Sequence, residues 1–159
     1  MRKTARGFSL IELLIVVAII LIIAAIAIPN LLRARIAANE ASAASSLRTM
    51  NTANITYNST YGNYAPKLAD LGPSNGAIPT STSADLLDQV LSGIGQTTNT
   101  STKSGYTFTY GVGTGNAVYT INANPNIVNQ TGVRYFYTDQ SGVVRWNPTQ
   151  QATVTDSPL

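Results

Sequence analysis

Residues 13–28 of this 159-residue chain carry no polar side chain, and Pro29 closes the run. Counted from Phe8, the apolar stretch is 21 residues long and is interrupted only by Ser9 and Glu12. At about 1.5 Å per residue, a helix of that length reaches roughly 30 Å, the hydrocarbon thickness of one bilayer. The residues before it, Met1-Arg2-Lys3-Thr4-Ala5-Arg6-Gly7, hold three cations and no apolar stretch. An ionised carboxylate at Glu12 would cost on the order of 2–3 kcal/mol or more in lipid, so it needs a reason to be present.

A secretory signal peptide also has a basic start and an apolar core, but its small-residue cleavage site follows the core. Here the small residue, Gly7, comes before the core. Ala25-Ile26-Ala27 is the nearest approach to an A-x-A site, and it lies inside the apolar run. An ordinary signal-anchor helix accounts for the hydrophobicity and the basic flank. It leaves the Gly7-Phe8 junction and Glu12 unexplained.

The string Gly7-Phe8-Ser9-Leu10-Ile11-Glu12-Leu13-Leu14, followed by an Ile/Val/Ala run ending in Ile28-Pro29, resembles the N-terminus of type IV prepilins and type II secretion pseudopilins. The resemblance covers residues 1 to about 50. It implies that a membrane peptidase cuts after Gly7 and that the same enzyme N-methylates Phe8. It makes Glu12 the acidic fifth residue of the mature chain, with Ser9 a mild change from the commoner threonine. The implied fold is α+β, type IV pilin-like: a long N-terminal helix, half membrane and half soluble, packed on a four-stranded antiparallel sheet.

Charge narrows the function further. The leader holds three of the ten cations, which leaves seven against seven acids from Phe8 onward. A formally neutral mature chain has no basic excess to neutralise phosphates, so no nucleic-acid partner is expected for the subunit itself. The leader cations suit the cytoplasmic side of a membrane. There is no cysteine and no histidine. Cys-His and Ser-His catalysis and the usual zinc constellations are therefore absent, and neither an enzyme nor a cofactor nor a metal site is expected. The missing cysteines also remove the disulfide that closes the C-terminal loop of many type IV pilins, so packing and hydrogen bonds must hold that end.

Past Pro29 the pattern stays helical. Leu32, Ile36, Ala43, Leu47, Met50, Tyr57 and Tyr61 step by threes, fours and sevens along one stripe. Pro29 removes a helical hydrogen bond and clashes with the Ala25 carbonyl, which predicts a kink or local melting. Gly62, Pro66, Gly72-Pro73 and Pro79 mark an irregular connection. Residues 83–91 read as a short helix capped by Ser83, and residues 95–104 as an exposed loop. The period then becomes two: Tyr106, Phe108, Tyr110 and Val112 alternate with Thr107, Thr109 and Gly111. A second strand is expected over 117–123. A hairpin should pair 133–138 with 143–146 through Asp139-Gln140-Ser141-Gly142. The domains so expected are a cleaved leader 1–7, a transmembrane and assembly helix 8–29, and a soluble domain 30–159. Within the last lie a helix 30–60, an irregular region 62–104, a sheet 105–147 and a tail 148–159.

Glu12 carries the sharpest functional expectation. Cleavage would create an ammonium on Phe8, and Glu12 of a neighbouring subunit could neutralise it inside the helix bundle, acting as a register device. Arg33, Arg35 and Glu40 read as a solvated charged face. Half of the eight aromatics Tyr106, Phe108, Tyr110, Tyr119, Tyr135, Phe136, Tyr137 and Trp146 are expected in the core by strand alternation. Asp139 with Ser141 is too thin a ligand set for calcium.

The function expected is thus a structural subunit of a type IV pilus that polymerises with itself through its N-terminal helix. Its partners would be a prepilin peptidase/N-methyltransferase, an assembly platform and the membrane. It would sit first in the inner membrane with its N-terminus cytoplasmic, then in a filament crossing the periplasm to the cell surface, for adhesion, motility or DNA uptake. The alternatives are a pseudopilin of a type II secretion system and, in another class, a membrane-tethered binding module.

Overall fold

A computed structural model describes residues 8–96 and 99–159. The leader and Gly7 lie outside the described residues. The chain divides into two units, one reaching to Arg35 and the other spanning Ile36–Leu159.

One helix, α1 (Leu10–Tyr61), contributes to both units. It continues through Pro29, with helical residues on both sides. Gly62, at φ +83°, ends it, and its N–H closes on the Asn58 carbonyl. Glycine suits this left-handed cap because it carries no Cβ. In the first unit the large apolar side chains of α1 are exposed all the way round, and the helix is long and apolar enough to cross a membrane.

In the second unit α1 buries one stripe. Ala43, Leu47, Met50 and Tyr57 of the expected stripe are buried, joined by Ala53 and the polar residues Asn51 and Asn54. They pack on an antiparallel sheet in the order β1 (Thr100–Lys103), β2 (Tyr106–Val112), β3 (Tyr119–Pro125), β4 (Tyr135–Asp139), β5 (Arg145–Asn147) and β6 (Ser157–Pro158). The sheet has six strands, not four. Its inner face presents Tyr106, Phe108, Tyr110, Tyr119, Ile121, Ala123 and Phe136, the apolar phase of the period-two pattern.

The two additional strands lie where the sequence lacks that pattern. β1 occupies part of the Thr/Ser-rich stretch expected to be an exposed loop. Threonine is β-branched and suits a strand, and Ser104 and Gly105, at φ +50° and +74°, form the tight turn that folds β1 onto β2. β6 lies in the expected tail, 148–159. The Asp156 carboxylate accepts bonds from Asn147 Nδ2 (2.8 Å) and Thr153 N (2.7 Å), and the Leu159 N–H closes on the Val144 carbonyl. This polar network holds the C-terminus without a disulfide.

The expected helix over 83–91 does not form. The N–H groups of Ala84, Asp85, Leu86 and Leu87 are taken by carbonyls of Asp70, Leu71 and Gly72, and Asp85 sits at φ +58°. Leu87 and Leu91 still reach the core beside Leu68 and Leu71. Tertiary hydrogen bonds override a local preference for helix there.

Two buried amides tie α1 to the sheet. Tyr119 donates to Asn51 Oδ1 (3.0 Å), while Asn51 Nδ2 donates to Thr138 Oγ1 (2.8 Å) and the Gly142 carbonyl (3.2 Å). The Tyr110 hydroxyl lies 2.9 Å from Asn54 Oδ1 and 2.8 Å from the Ala65 carbonyl. Burial pushes both phenols well above their usual range, which keeps them as donors. Such pairs are satisfied at one rotation and one axial position of the helix.

Candidate functional site

The start of α1 is organised by its own side chains. The Glu12 carboxylate accepts the Ser9 backbone N–H at 2.9 Å, and Ser9 Oγ accepts the Ile11 N–H at 3.4 Å. Ser9-x-x-Glu12 has the spacing of a capping box: the acid makes the reciprocal bond to the Ser9 N–H, while the serine hydroxyl takes the N–H of Ile11 rather than that of Glu12. Its signal is plain in the string Ser9-Leu10-Ile11-Glu12, a serine three residues ahead of an acid before an apolar run. The acid also sits at the positive end of the helix dipole. A carboxylate can accept up to about four hydrogen bonds, so one bond from Ser9 leaves Glu12 able to take another donor.

Around this cap the surface is apolar. Phe8 is 87% exposed and Leu10 80%, and the exposed aliphatics continue through Ile28 to Leu31 and Leu32. A helix that is hydrophobic on every side in isolation is suited to lipid or to the interior of a bundle. Ile28, Leu31, Leu32 and Arg35 enclose a small apolar hollow on its surface. Pro29 lies within the helix beside this hollow, and Arg33 and Arg35 are exposed.

Glu40 departs from the solvated face expected of it. It is 6% exposed, and its Oε1 accepts the backbone N–H groups of Val133 (2.9 Å) and Arg134 (3.0 Å). Its Oε2 lies 2.7 Å from Arg134 Nε. Burial is the largest single influence on its carboxyl and works to raise the pKa. The two backbone donors and Arg134 together outweigh it and hold Glu40 below the usual carboxylate range. The guanidinium also lies 5.6 Å from the ring centres of both Phe136 and Trp146. Glu40 thus joins α1 to the segment that precedes β4.

Of the eight aromatics, Tyr106, Phe108, Tyr110, Tyr119 and Phe136 are core, while Tyr135, Tyr137 and Trp146 are half-buried. Asp139 is used inside its own hairpin, accepting the Ser141 N–H (2.9 Å) and the Tyr137 hydroxyl (3.2 Å). Among the described residues no cluster of three or more His, Cys, Asp or Glu could hold a metal ion. Phe8, Ser9 and Glu12 stand at the head of the uncovered apolar helix.

Known proteins point to the same segment. Residues 2–28 match the prokaryotic N-terminal methylation motif. The type IV wide pilus major component PilA4 of Thermus thermophilus is 66% identical over 38 residues, which are 24% of this chain and 29% of that protein. The type IV major pilin protein PilA of Myxococcus xanthus is 42% identical over 67 residues, 42% of this chain and 30% of that protein. The chain thus spans less than a third of the length of either relative. No solved structure matches it. Over residues 2–28 the chain is thus similar to the prokaryotic N-terminal methylation motif, and over part of its length to type IV major pilins.

Proposed function

We propose that the chain is the structural subunit of a type IV pilus. It enters the inner membrane with residues 1–7 in the cytoplasm and the pilin-like domain outside. A prepilin peptidase then cuts after Gly7 and methylates the new amine of Phe8. An assembly platform moves the subunit into a filament, where α1 exchanges lipid for the helices of other copies. The observation that carries this reading is the uncovered apolar helix, exposed on all sides from Leu10 to Leu32 and headed by the methylation motif.

Glu12 has two roles in this account. It caps its own helix through Ser9, and its remaining acceptor capacity receives the Phe8 ammonium of the adjacent subunit. Pro29, where the helix lacks one backbone hydrogen bond, is the place where α1 bends or loosens as subunits pack. The filament crosses the periplasm and reaches the cell surface.

One observation favours a second reading. The chain has no cysteine and closes its C-terminus through Asp156 instead, which fits a pseudopilin of a type II secretion system. Electron microscopy of sheared surface fractions, with mass analysis of the subunit, separates the two. Long extracellular filaments composed of this chain are expected. Filaments confined to the periplasm would favour the pseudopilin, and a monomer with its leader intact would favour a membrane-tethered binding module.

A further inference from the structure

The connection between β5 and β6 does not turn directly from one strand to the next. Residues 148–156 instead fold back over the outer face of the sheet. Asn122 Nδ2 donates to the Ala152 carbonyl at 3.0 Å, and Asn124 Nδ2 reaches Gln151 Oε1 at 3.5 Å. Both asparagines stand on β3, in the phase opposite to the buried Tyr119, Ile121 and Ala123. Because β4 lies between β3 and β5, the connection passes over the outer side of β4 to reach them. The register there sets Asn122, Tyr137 and Arg145 side by side in one row, with Tyr135 beside Asn147 in the next.

This segment is held quite differently from the inner face. Ala152, 1% exposed, is its one buried apolar side chain, and Val154 is 54% exposed. No ion pair anchors it among the described residues. Arg145 Nη1 donates to the Asp156 backbone carbonyl at 2.9 Å. Its remaining bonds close within the segment or onto Asn147 at its root. Asn147 Oδ1 accepts the Thr149 N–H at 3.0 Å and the Gln150 N–H at 3.2 Å, and the Asp156 carboxylate accepts the Thr153 N–H at 2.7 Å. Bonds of that kind travel with the segment and survive its release from the sheet. On the residues that it covers, two polar atoms, Asn124 Oδ1 and Arg145 Nε, are buried without a hydrogen-bond partner. An unmatched buried donor or acceptor carries its full desolvation penalty, and that penalty falls on the closed form alone.

We infer that residues 148–156 form a flap that opens as a unit while the sheet stays folded, uncovering the Asn122–Tyr137–Arg145 row. Opening breaks the bonds from Asn122, Asn124 and Arg145 and the packing of Ala152, and it returns Asn124 Oδ1 and Arg145 Nε to water. The inner face, where Tyr106, Phe108, Tyr119 and Phe136 lie in the core with α1, takes no part in it. Local openings of this kind need far less free energy than global unfolding. In the closed form Tyr137 and Arg145 are half-buried; in the open form an amide, a phenol and a guanidinium face solvent together on one strand row.

The chain has no cysteine, so thiol labelling reads one position at a time. The full chain in detergent carries Ala152→Cys under the flap, Val154→Cys as the exposed reference, or Ala123→Cys or Ala53→Cys in the core. Two core positions guard against a local effect of either substitution, and Trp146 emission establishes that each variant is folded. Labelling is followed over a series of urea concentrations below the unfolding transition. The rate at a buried thiol tracks the population of the form that exposes it, and its urea slope tracks the surface exposed. Position 152 should label roughly 100-fold faster than 123 and 53, well below the rate at 154, and with little dependence on urea. Equal rates and equal urea slopes at 152, 123 and 53 would mean that only unfolding releases the segment, and would overturn the flap. Labelling at 152 as fast as at 154 would mean that the segment does not close over the row, and overturns it equally.

Discussion

Replacing Glu40 by alanine isolates the clamp between α1 and the sheet. The carboxylate is buried and accepts two backbone N–H groups and the Arg134 side chain. Hydrogen bonds to a charged group are worth about 1.5–3 kcal/mol each. The substitution also relieves the carboxylate of its own burial, which offsets part of the loss. Arg134 is 37% exposed, so its released charge is screened and adds little. The net destabilisation should be about 2–4 kcal/mol, most of it from the two orphaned backbone donors. With a urea m-value of about 1–3 kcal/mol/M, the unfolding midpoint should fall by roughly 1–2 M. Trp146 is the single tryptophan and lies beside Arg134, so its emission reports the transition in the full chain in detergent. Because the Glu40 pKa is depressed in the fold, its contribution is complete above the unfolded value of about 4.3 and is lost as pH falls through the folded value. The gap between wild type and Glu40→Ala should therefore be full at neutral pH, narrow once the pH drops below the unfolded value, and close below the depressed folded one. Equal midpoints at neutral pH, or a gap that widens on acidification, would show that the ionised Glu40 carboxylate does not hold α1 to the sheet.

Three other outcomes are expected. Tyr119→Phe removes the donor to Asn51 Oδ1 and leaves a buried acceptor, so it should cost about 1–3 kcal/mol with an unchanged m-value, read from the same urea melts. A chain starting at Arg33 should be a soluble monomer, because the uncovered apolar surface is removed and the sheet and its core are retained; light scattering that finds a stable oligomer would place association in the sheet. Glu12→Ala should leave membrane insertion intact but suppress filament yield, since an unpaired Phe8 ammonium costs on the order of 3–5 kcal/mol at each added subunit; normal filament yield and length would show that the carboxylate acts only as a helix cap.

What the sequence made visible follows from which forces are periodic. The apolar run, its basic flank and the Gly7-Phe8 junction are local features that need no tertiary context. β2 was legible over its full length because Tyr106, Phe108 and Tyr110 bury one face while Thr107 and Thr109 do not. The β4–β5 hairpin was legible from Gly142, which takes the positive φ its turn requires. β1 and β6 were hidden because their pairing partners, and not an apolar alternation of their own, make them strands. Residues 83–91 misled for the converse reason: a good local helix pattern lost its N–H groups to distant carbonyls. The burial of Glu40 is not legible locally, because the groups that bury it lie more than ninety residues away in sequence. The Ser9–Glu12 cap is readable from spacing alone, a serine three residues ahead of an acid at the start of an apolar run.

Processing at Gly7-Phe8 and assembly through the exposed helix can be read together by intact-mass spectrometry of sheared filaments. The expected subunit is residues 8–159 with one methyl group on the Phe8 amine. Assembled material that retains residues 1–7, or begins elsewhere in the apolar run, would rule out both cleavage after Gly7 and a role for the Phe8 amine in assembly.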